Sequence, residues 1–527
     1  MANSAYLPAS LYLLQAIGLL EESDWTNHYD LTLHLYSSAA ETCYVLGNFE
    51  VLNELAKETL AKAACLQDKI RIYFSLSNSL ASQGKMLDAI DFGLGVLEQL
   101  GESLPPNLDD DEVIAKYVME TSIMMQGVEA SDIIQKTAMQ DEAKQTAMQF
   151  LSTMSMHAWF GRPRACPVIT ARMVQLTLKE GLCKESAFAF SVFGSVLSRS
   201  PDGVSQGYRL SKIAISLMDQ MGDNGYIARV YLTAYGLVNC FVEPLQACEE
   251  SLKYAYEAGM ASGDMTFAHT VGITMGCLAV QSGSNLESLA NQLSIYGSKM
   301  TEGNDRMLLY SNRLYESFAR NLMGETDDPT QLIYEGRDVL DDILETQNKN
   351  ALNHYHFVRM VLAYMFGRYE LAAERAVEYR NSSVLLRNAR LVNEILYLAL
   401  IALASADEDN KVDARRGAGE ALSQLEGWVG TSEWNHLHKM KFLQAEIAVH
   451  DGLYEDAAAL YDEAIRIAGE HRFIHEQALA SERCGMFYST GMSNAQTAAS
   501  YFTQAAEAYM KWGAKRKAAD LLQMLTT

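Results

Sequence analysis

The chain has 527 residues, of which 49% are hydrophobic, and its 66 acidic and 42 basic residues give a formal net charge of −24. This charge argues against nucleic-acid binding over a broad surface and against docking on an anionic membrane, because both need clustered Lys and Arg. The length exceeds the usual size of a single globular domain, but it suits a solenoid in which each unit contacts only its neighbours.

The first hundred residues predict helices joined by tight turns. Residues 6–20 read as an apolar helix, and residues 29–63 read as two helices turned at Gly47. A second unit follows over residues 70–100 and turns at Gly84, at a spacing close to one helical-hairpin repeat. Small residues on one face of each helix allow two backbones to approach closely.

A proline-containing break over residues 101–107 ends these repeats, and a helix is expected to follow. Its first residues are the acidic run Asp109, Asp110, Asp111 and Glu112. Acidic side chains at a helix N-terminus complement the helix dipole, so we interpret the run as the start of a helix and not as a metal site.

The middle of the chain is less regular. Residues 113–200 read as helical with breaks at 161–163 and at Pro167, and residues 200–207 read as a loop. Two or three further hairpins are expected over residues 208–300.

The repeat pattern is clearest towards the C-terminus. A unit over residues 354–380 turns at Gly367, and residues 441–514 contain two more turns, at Gly452 and Gly491. Apolar and small residues recur three, four or seven positions apart on both sides of these glycines, which is one face of a helix. A single hairpin cannot bury its own apolar face, so the sequence predicts an all-α solenoid of stacked, tetratricopeptide-like hairpins forming a superhelix.

No Gly/Ser-rich or Pro-rich linker interrupts the chain, which favours one continuous repeat region over residues 1–527. Within it we distinguish N-terminal repeats (1–107), less regular central repeats (108–330) and C-terminal repeats (331–527).

Motifs for catalysis, metal binding and nucleotide binding were sought, and each partial match lacks an essential part. The G-x-S-x-G text at 203–207 follows a polar turn where a nucleophile elbow needs a strand. His475-Glu476 begins like a zinc motif, but Leu479 stands where the second histidine is needed. We therefore expect no catalytic residue, no metal site and no cofactor, and no enzymatic activity.

One polar cluster is a candidate for ligand contact. His354, His356 and Arg359 lie near the start of a predicted helix. Imidazoles two positions apart point to different faces of a helix, so a shared metal is not expected. The two interpretations are packing and capping within the fold, or a polar patch contacting a ligand on the concave face of the solenoid.

The cysteines and the N-terminal residues bear on the cellular compartment of the protein. None of the eight cysteines forms a C-x-x-C pair, and most lie in apolar helical text, which is typical of free thiols in a reducing environment. The first residues lack the basic segment of a secretory signal, and no apolar run is long enough to span a membrane. We expect a cytoplasmic location.

Several segments together resemble a known family. These stretches are 25–50, 159–194, 228–268 with its Glu243-Pro244 and Gly263-Asp264 breaks, 354–376, 445–488, and 499–522 with its WGAK-type ending. They resemble the tetratricopeptide-like helical region of large signalling proteins that combine a serine/threonine kinase, a predicted AAA/STAND-type ATPase, a GAF domain and a sensor histidine kinase.

The resemblance implies an arm for interaction and signal relay, since the family's catalytic modules have no counterpart in this chain. It implies protein partners, namely ATPase or kinase modules in cis or in trans, and a small-molecule inducer. Both a fragment of a longer parent and a stand-alone relative fit this resemblance.

Three functions follow from these observations. The first is a non-catalytic relay module that binds a protein or a small inducer on its concave face and changes its superhelical pitch. The second is a stand-alone scaffold or adaptor without a sensing role. The third is an all-helical hydrolase with paired carboxylates, which would need a closed ring and two acids facing one pocket.

Overall fold

The computed structural model describes residues 2–222, 224–302, 305–346, 348–382 and 389–526. Within them the chain forms 27 α-helices and one two-stranded hairpin, so the all-α prediction is confirmed. Among these residues, none of the helices combines the length and the apolar character that crossing a membrane requires.

The helices of the first half are α1 (Ala2–Ile17), α2 (Asp24–Asn27), α3 (Tyr29–Val45), α4 (Phe49–Lys62), α5 (Leu66–Ser82), α6 (Met86–Gln99), α7 (Asp111–Met124), α8 (Ala130–Ile134), α9 (Glu142–Gly161), α10 (Cys166–Glu180), α11 (Ser186–Leu197), α12 (Pro201–Met221), α13 (Ile227–Leu237) and α14 (Leu245–Ser262).

The remaining elements are α15 (Met265–Ser282), α16 (Leu286–Glu302), α17 (Arg306–Met323), β1 (Ile333–Tyr334), β2 (Arg337–Asp338), α18 (Val339–Thr346), α19 (Lys349–Met365), α20 (Tyr369–Asn381), α21 (Arg390–Ala404), α22 (Lys411–Val429), α23 (Glu433–His450), α24 (Tyr454–Glu470), α25 (Ile474–Met486), α26 (Ala495–Trp512) and α27 (Lys515–Thr526).

Four of the predicted glycine turns are confirmed. Gly47, Gly84, Gly367 and Gly452 each follow the first helix of a hairpin and adopt a left-handed φ between 69° and 78°. Only glycine takes this conformation without steric cost, so these residues stop one helix and start the next.

The fifth predicted turn, at Gly491, is wrong. Gly491 ends a π-helical turn over Phe487–Gly491 and does not have a left-handed φ. The chain reverses two residues later, where Ser493 has a φ of 50° and the Asn494 side chain accepts a hydrogen bond from the Thr497 backbone N–H at 3.2 Å. The second helix of this hairpin therefore begins at a polar N-cap, Asn494, and not at a glycine turn.

The predicted loop over residues 200–207 is also wrong, because α12 begins at Pro201. Proline is favourable in the first turn of a helix, where its missing N–H is not needed. A Cβ on Gly207 would lie 2.5 Å from the carbonyl oxygen of Gly194, so this glycine serves close contact between α11 and α12.

Two expectations about helix starts have different outcomes. Asp110 caps α7 as expected: its side chain accepts hydrogen bonds from the N–H groups of Glu112 and Val113. Pro167 was predicted to break a helix, but it lies in the first turn of α10 and begins one.

The chain divides into two compact units, one of residues 1–193 and 216–222 and one of residues 194–215 and 223–527. In the first unit the hairpin α3–α4 packs on the hairpin α5–α6. Helix α9 packs on α6, and α10 packs on α7 and α9. Its core includes the stacked rings of Phe74 and Phe150, whose centroids are 4.0 Å apart. The expectation of one continuous repeat region stays a prediction.

The second unit alternates buried and half-exposed helices. The first helix of each hairpin (α15, α17, α19, α21, α23 and α25) is buried around most of its circumference. The second helices, such as α20 and α24, bury mainly a narrow face of Ala and Tyr. Successive first helices pack on one another and form the interior of this unit, as expected for stacked hairpins.

Hairpins that lie five apart along the chain also meet in the second unit. The Asn435 side chain donates to the carbonyl oxygen of Glu243 at 2.7 Å, and the Trp512 indole N–H donates to that of Ser284 at 3.0 Å. Arg516 donates to the carbonyl oxygen of Thr326 at 2.5 Å. We call these three hydrogen bonds the inter-turn contacts, because each joins one superhelical turn of the stacked hairpins to the next.

The close approach of α25 and α26 gives a test of this packing. A Cβ at Gly485 would lie 2.7 Å from a Phe502 ring carbon. We expect Gly485→Ala to lower the free energy of unfolding by about 1–3 kcal/mol through overpacking. The matched control is Gly417→Ala on the exposed side of α22, where nothing lies within 4 Å of the new Cβ.

The control should stabilise the chain by up to about 1 kcal/mol through helix propensity. Denaturant unfolding followed by circular dichroism measures both changes. Equal effects of the two substitutions would contradict the described contact between α25 and α26.

Candidate functional site

A cavity of about 340 Å³ opens in the second unit beside the β-hairpin. Its walls are the end of α16, the first two turns of α17, the β1–β2 hairpin and the start of α18. We call it the hairpin cavity, and its lining residues are Met300, Thr301, Asp305, Arg306, Leu309, Tyr310, Arg313, Tyr334, Glu335, Arg337 and Asp342.

The β-hairpin is a local product of two residues. Glu335 and Gly336 have φ values of 49° and 81°, the left-handed pair that a two-residue hairpin turn requires. The turn pairs Tyr334 with Arg337, and the Ser317 hydroxyl on α17 donates to the carbonyl oxygen of Ile333 at 3.3 Å. The hairpin is thus anchored on α17 with Tyr334 at the cavity.

Arg313 is the central basic group of the cavity. Its guanidinium carbon lies 4.4 Å from the ring centroid of Tyr334 and 5.6 Å from that of Tyr310. An Asp342 oxygen is 3.6 Å from Nη1, which is an ion pair beyond hydrogen-bond distance. Stacking on aromatic rings holds a guanidinium plane while its N–H edge stays available.

The three carboxylates of the cavity differ in how many partners they have within the protein. Asp305 caps α17 and lies 3.1 Å from the His269 imidazole, and Asp342 lies 3.5 Å from Arg337 as well as beside Arg313. Glu335 is exposed at the tip of the hairpin. The cavity therefore combines basic, acidic and aromatic groups.

Sequence reasoning missed this cavity. The only local signal is Gly336 in the text Tyr-Glu-Gly-Arg between two short apolar segments, and Glu-Gly is a weaker hairpin signal than Asn-Gly or Asp-Gly. The approach of Arg313 to Tyr334 and Asp342 depends on tertiary structure and has no sequence signature.

The interior of the second unit holds a second set of polar groups, four buried ion pairs that we call the inner ion pairs. They are Arg390–Glu394, Lys439–Glu476, Arg483–Glu446 and Lys517–Glu482. An unpaired buried charge is strongly destabilising, whereas a paired and hydrogen-bonded one is tolerated. These contacts explain how the first helices carry charged residues into the core.

The Arg483–Glu446 pair is the most completely satisfied. Arg483 donates to both Glu446 oxygens, at 2.8 and 2.7 Å, in a bidentate arrangement. The Tyr461 hydroxyl donates to Glu446 at 2.7 Å, and Arg483 also donates to the Tyr369 hydroxyl at 2.7 Å. The geometry is that of a structural pair, with little capacity left for substrate.

The Lys439–Glu476 pair belongs to a histidine-rich cluster. Lys439 donates to Glu476 at 2.5 Å, and His438 hydrogen-bonds to the same carboxylate oxygen. Burial raises the pKa of Glu476, but Lys439 and His438 outweigh burial and hold that pKa well below its usual range. Burial, with Lys439 second, lowers the pKa of His438 to about 4 and that of His436 to about 3.

The same cluster gives the His475-Glu476 text a structural role. Burial lowers the pKa of His475 to about 4, and Glu476 serves as the counter-ion of Lys439. Among the described residues, no three His, Cys, Asp or Glu side chains are placed to hold a metal ion.

The three predicted contact residues lie on α19, and each has a partner. His354 shares a 2.6 Å hydrogen bond with the Tyr315 hydroxyl, and burial holds its pKa well below the usual value. His356 is 3.0 Å from Glu378. Arg359 donates to the carbonyl oxygen of Thr330 and to the Tyr355 hydroxyl, both at 3.0 Å.

The structure therefore does not bring the two histidines to a shared point. Their partners lie on α17 for His354 and on α20 for His356. A ligand role for the three residues stays a prediction.

The G-x-S-x-G text lies entirely within α12. No strand precedes it within the described part of the chain, where the strands are β1 and β2. A nucleophile elbow needs a strand before the serine and a helix after it, so Ser205 is not in that geometry.

Comparison with known proteins gives no family assignment. No family model matches the chain, and no curated protein matches it. Similar solved structures include yeast Tom70 (13% identity, 99% of this chain, 93% of that chain, TM-score 0.27) and the P58(IPK) TPR domain (13%, 86%, 98%, 0.17). A circular tandem repeat protein also matches (14%, 94%, 95%, 0.15).

These identities and TM-scores are too low to carry an argument about structure or function. The helical-hairpin fold is established by the helices of the chain itself.

The Lys439–Glu476 pair provides a stability test. We expect Glu476→Gln to lower the free energy of unfolding by about 3–5 kcal/mol, because it leaves Lys439 buried without a counter-ion. The matched control is Glu463→Gln, which removes a partly exposed partner of Lys441 and should cost no more than about 1 kcal/mol.

A double variant, Lys439→Met with Glu476→Gln, should recover most of the loss because no unpaired charge remains. Denaturant titration measures all three. A Glu476→Gln effect no larger than that of Glu463→Gln would show that the pair is not buried in solution.

His436 provides a pH test. The unfolded chain binds a proton on this imidazole near pH 6.5, whereas the folded chain does so only near pH 3. Its contribution to stability is therefore complete above pH 6.5 and is lost progressively as the pH falls towards 3.

Replacing His436 by Phe should make the decline of stability between pH 6.5 and 4 less steep. The control, His28→Phe, changes an imidazole whose side chain is 66% exposed and should leave the slope unchanged. Thermal melting across this pH range measures the slopes, and identical slopes for wild type and His436→Phe would contradict burial of this imidazole.

Proposed function

We propose that this chain is a non-catalytic helical-repeat module that binds a protein partner and relays a change of shape. The observation that carries this proposal is the meeting of hairpins five apart in the second unit, through the inter-turn contacts. A stack whose turns touch can pass a change at one hairpin to a hairpin far along the chain.

The inter-turn contacts suit such a relay because each is local. Each joins a side chain near a helix end to a backbone carbonyl near another helix end, as in Trp512 with Ser284 and Arg516 with Thr326. Arg516 is half-buried, so breaking its contact exchanges the carbonyl acceptors for water and leaves the hairpins folded. A partner that prefers one pitch of the stack would shift the equilibrium by its difference in affinity for the two pitches.

The narrower proposal is that the partners are ATPase or kinase modules of a cytoplasmic signalling system, in cis or in trans, with a small molecule as inducer. It rests on the sequence resemblance described above and on the eight cysteines, which form no disulfide within the described residues and suit a reducing compartment. The inner ion pairs support a non-catalytic role, since each buried charge among them is already matched by an opposite one.

His354, His356 and Arg359 remain proposed contacts for a partner. Arg359 and His356 are half-buried and retain some access to solvent, while His354 is committed to Tyr315. A partner would therefore meet Arg359 and His356 first.

A scaffold without a relay is the second candidate, and the filled interior of the second unit favours it. A packed core of first helices resists changes of pitch, and a rigid stack displays its outer helices in fixed positions. The two proposals differ in whether partner binding alters the shape of the chain.

The test uses the purified chain with purified ATPase and kinase modules of the resembled family. Small-angle scattering and the ATPase rate are measured with and without the chain. Binding with a change in both quantities supports the relay, and binding without any change supports the scaffold. Absence of binding, or turnover of a substrate by the chain alone, overturns the interaction module.

The inter-turn contacts can be tested directly. We expect Arg516→Ala to raise amide hydrogen exchange near Thr326 and Asp327, whose carbonyl oxygens Arg516 contacts at 2.5 and 2.9 Å. The overall fold should persist, because each of these two hydrogen bonds, one partly buried and one exposed, contributes only about 0.5–1.5 kcal/mol.

The matched control is Arg466→Ala, which removes an exposed arginine paired with Glu470 four residues away on the same helix. Its effect should be confined to α24. If Arg516→Ala leaves exchange near Thr326 unchanged, the turns do not communicate through this contact.

A further inference from the structure

Arg313 has an unusual deficit of hydrogen bonds. Among the described residues, its guanidinium forms no hydrogen bond, and its Nε is buried without an acceptor. The nearest carboxylate, Asp342, is 3.6 Å away, and the side chain is only 19% exposed. A guanidinium carries five N–H donors, and leaving the buried Nε–H among them unmatched is costly.

The environment holds this guanidinium ready for an acceptor. The rings of Tyr334 and Tyr310 lie at 4.4 and 5.6 Å from its central carbon and fix its plane. The side chain lines the hairpin cavity, whose volume of about 340 Å³ accommodates a small organic molecule. An oxyanion placed at the N–H edge would satisfy the donors, and a planar carboxylate matches the fork geometry.

The charges around the cavity select among oxyanions. Three arginines (Arg306, Arg313, Arg337) and three acids (Asp305, Glu335, Asp342) line it, so the lining is balanced while the whole chain carries −24. A multiply charged phosphate would meet three carboxylates inside a strongly acidic protein. A ligand with one carboxylate and one cationic group meets no such repulsion.

A second group of the cavity is available for the cationic end. Asp305 is engaged by His269 and by the α17 N-terminus, and Asp342 is shared between Arg313 and Arg337. Glu335 is exposed at the hairpin tip and forms no ion pair within the described residues. Leu309 is the more accessible aliphatic residue of the lining, since Met300 is fully buried.

We propose that the hairpin cavity binds a small zwitterion of the amino-acid type. Its carboxylate accepts hydrogen bonds from Arg313, its ammonium group faces Glu335, and its side chain lies against Leu309. The role of this ligand as an inducer rests on the proposed function, whereas its binding to the cavity does not. Binding itself is measured on the chain alone.

The experiment screens the twenty L-amino acids against the full chain by saturation-transfer NMR and then measures affinities by calorimetry. Each amino acid that binds is compared with its deamino analogue, which keeps the carboxylate, and its decarboxylated analogue, which keeps the amine. Inorganic phosphate is tested in parallel. We expect at least one amino acid to bind and both analogues to bind at least about tenfold more weakly, the loss of one charge-assisted contact.

Variants locate the site. Arg313→Gln and Glu335→Gln should each weaken binding by about ten- to a hundredfold, and Arg313→Lys should weaken it by less because it keeps the charge and loses the fork. The matched control, Arg416→Gln, removes an exposed arginine on α22 that does not line the cavity and should leave affinity unchanged. Circular dichroism and thermal melting verify that each variant is folded, and Arg313→Lys provides the reading if Arg313→Gln does not fold.

Several results would overturn the proposal. They are no binding by any amino acid at millimolar concentration, phosphate or the deamino analogue binding as tightly as the amino acid, and unchanged affinity in both Arg313 variants. None of them bears on partner binding, which is measured with protein modules, so the two proposals fail separately.

Discussion

The pairing of buried charges in the second unit is the constraint on which its structure depends. The first helices of the hairpins are largely surrounded by other helices, so each charged side chain that they bury must find an opposite charge inside the protein. Arg390, Lys439, Arg483 and Lys517 each do so. Three of these pairs join residues 35 to 37 positions apart, which is about one repeat. These three ion pairs therefore connect neighbouring hairpins and restrict how far one is rotated against the next.

This arrangement departs from the simplest description of a repeat protein. In an ideal solenoid each repeat contacts only its neighbours, and the stability is a sum of local terms. Here Asn435, Trp512 and Arg516 reach carbonyl groups 190 to 228 residues away. These long-range contacts make the second unit more cooperative than a linear stack, because loss of one hairpin removes contacts from a hairpin five positions away.

Much of the fold was predictable because its determinants are local. The turns at Gly47, Gly84, Gly367 and Gly452 follow from the steric freedom of glycine in the left-handed region. The turn near Gly491 was misplaced because Ser493 and Asn494 perform the same task through a polar cap, a solution with a weaker signal.

The inner ion pairs were missed for a different reason. Reading each helix alone shows a charged residue on an apolar face and no partner. Comparing positions one repeat apart does carry a signal, since Lys439 and Glu476, like Glu446 and Arg483, are separated by 37 residues. The hairpin cavity offers no such signal, because it forms where the repeat is interrupted.

That interruption explains why the cavity exists at all. The helix α17 has 18 residues, but the segment that follows it folds as a two-stranded hairpin and the eight-residue helix α18. The second helices of other hairpins, such as α24 and α26, have 17 and 18 residues and cover their partners. A short helix cannot cover the N-terminal turns of α17, so the side of Arg313 that a full repeat would seal is left open. The cavity is thus a consequence of the short length of α18. The Arg313 guanidinium, held by the rings of Tyr310 and Tyr334, gives the cavity its preference for an oxyanion.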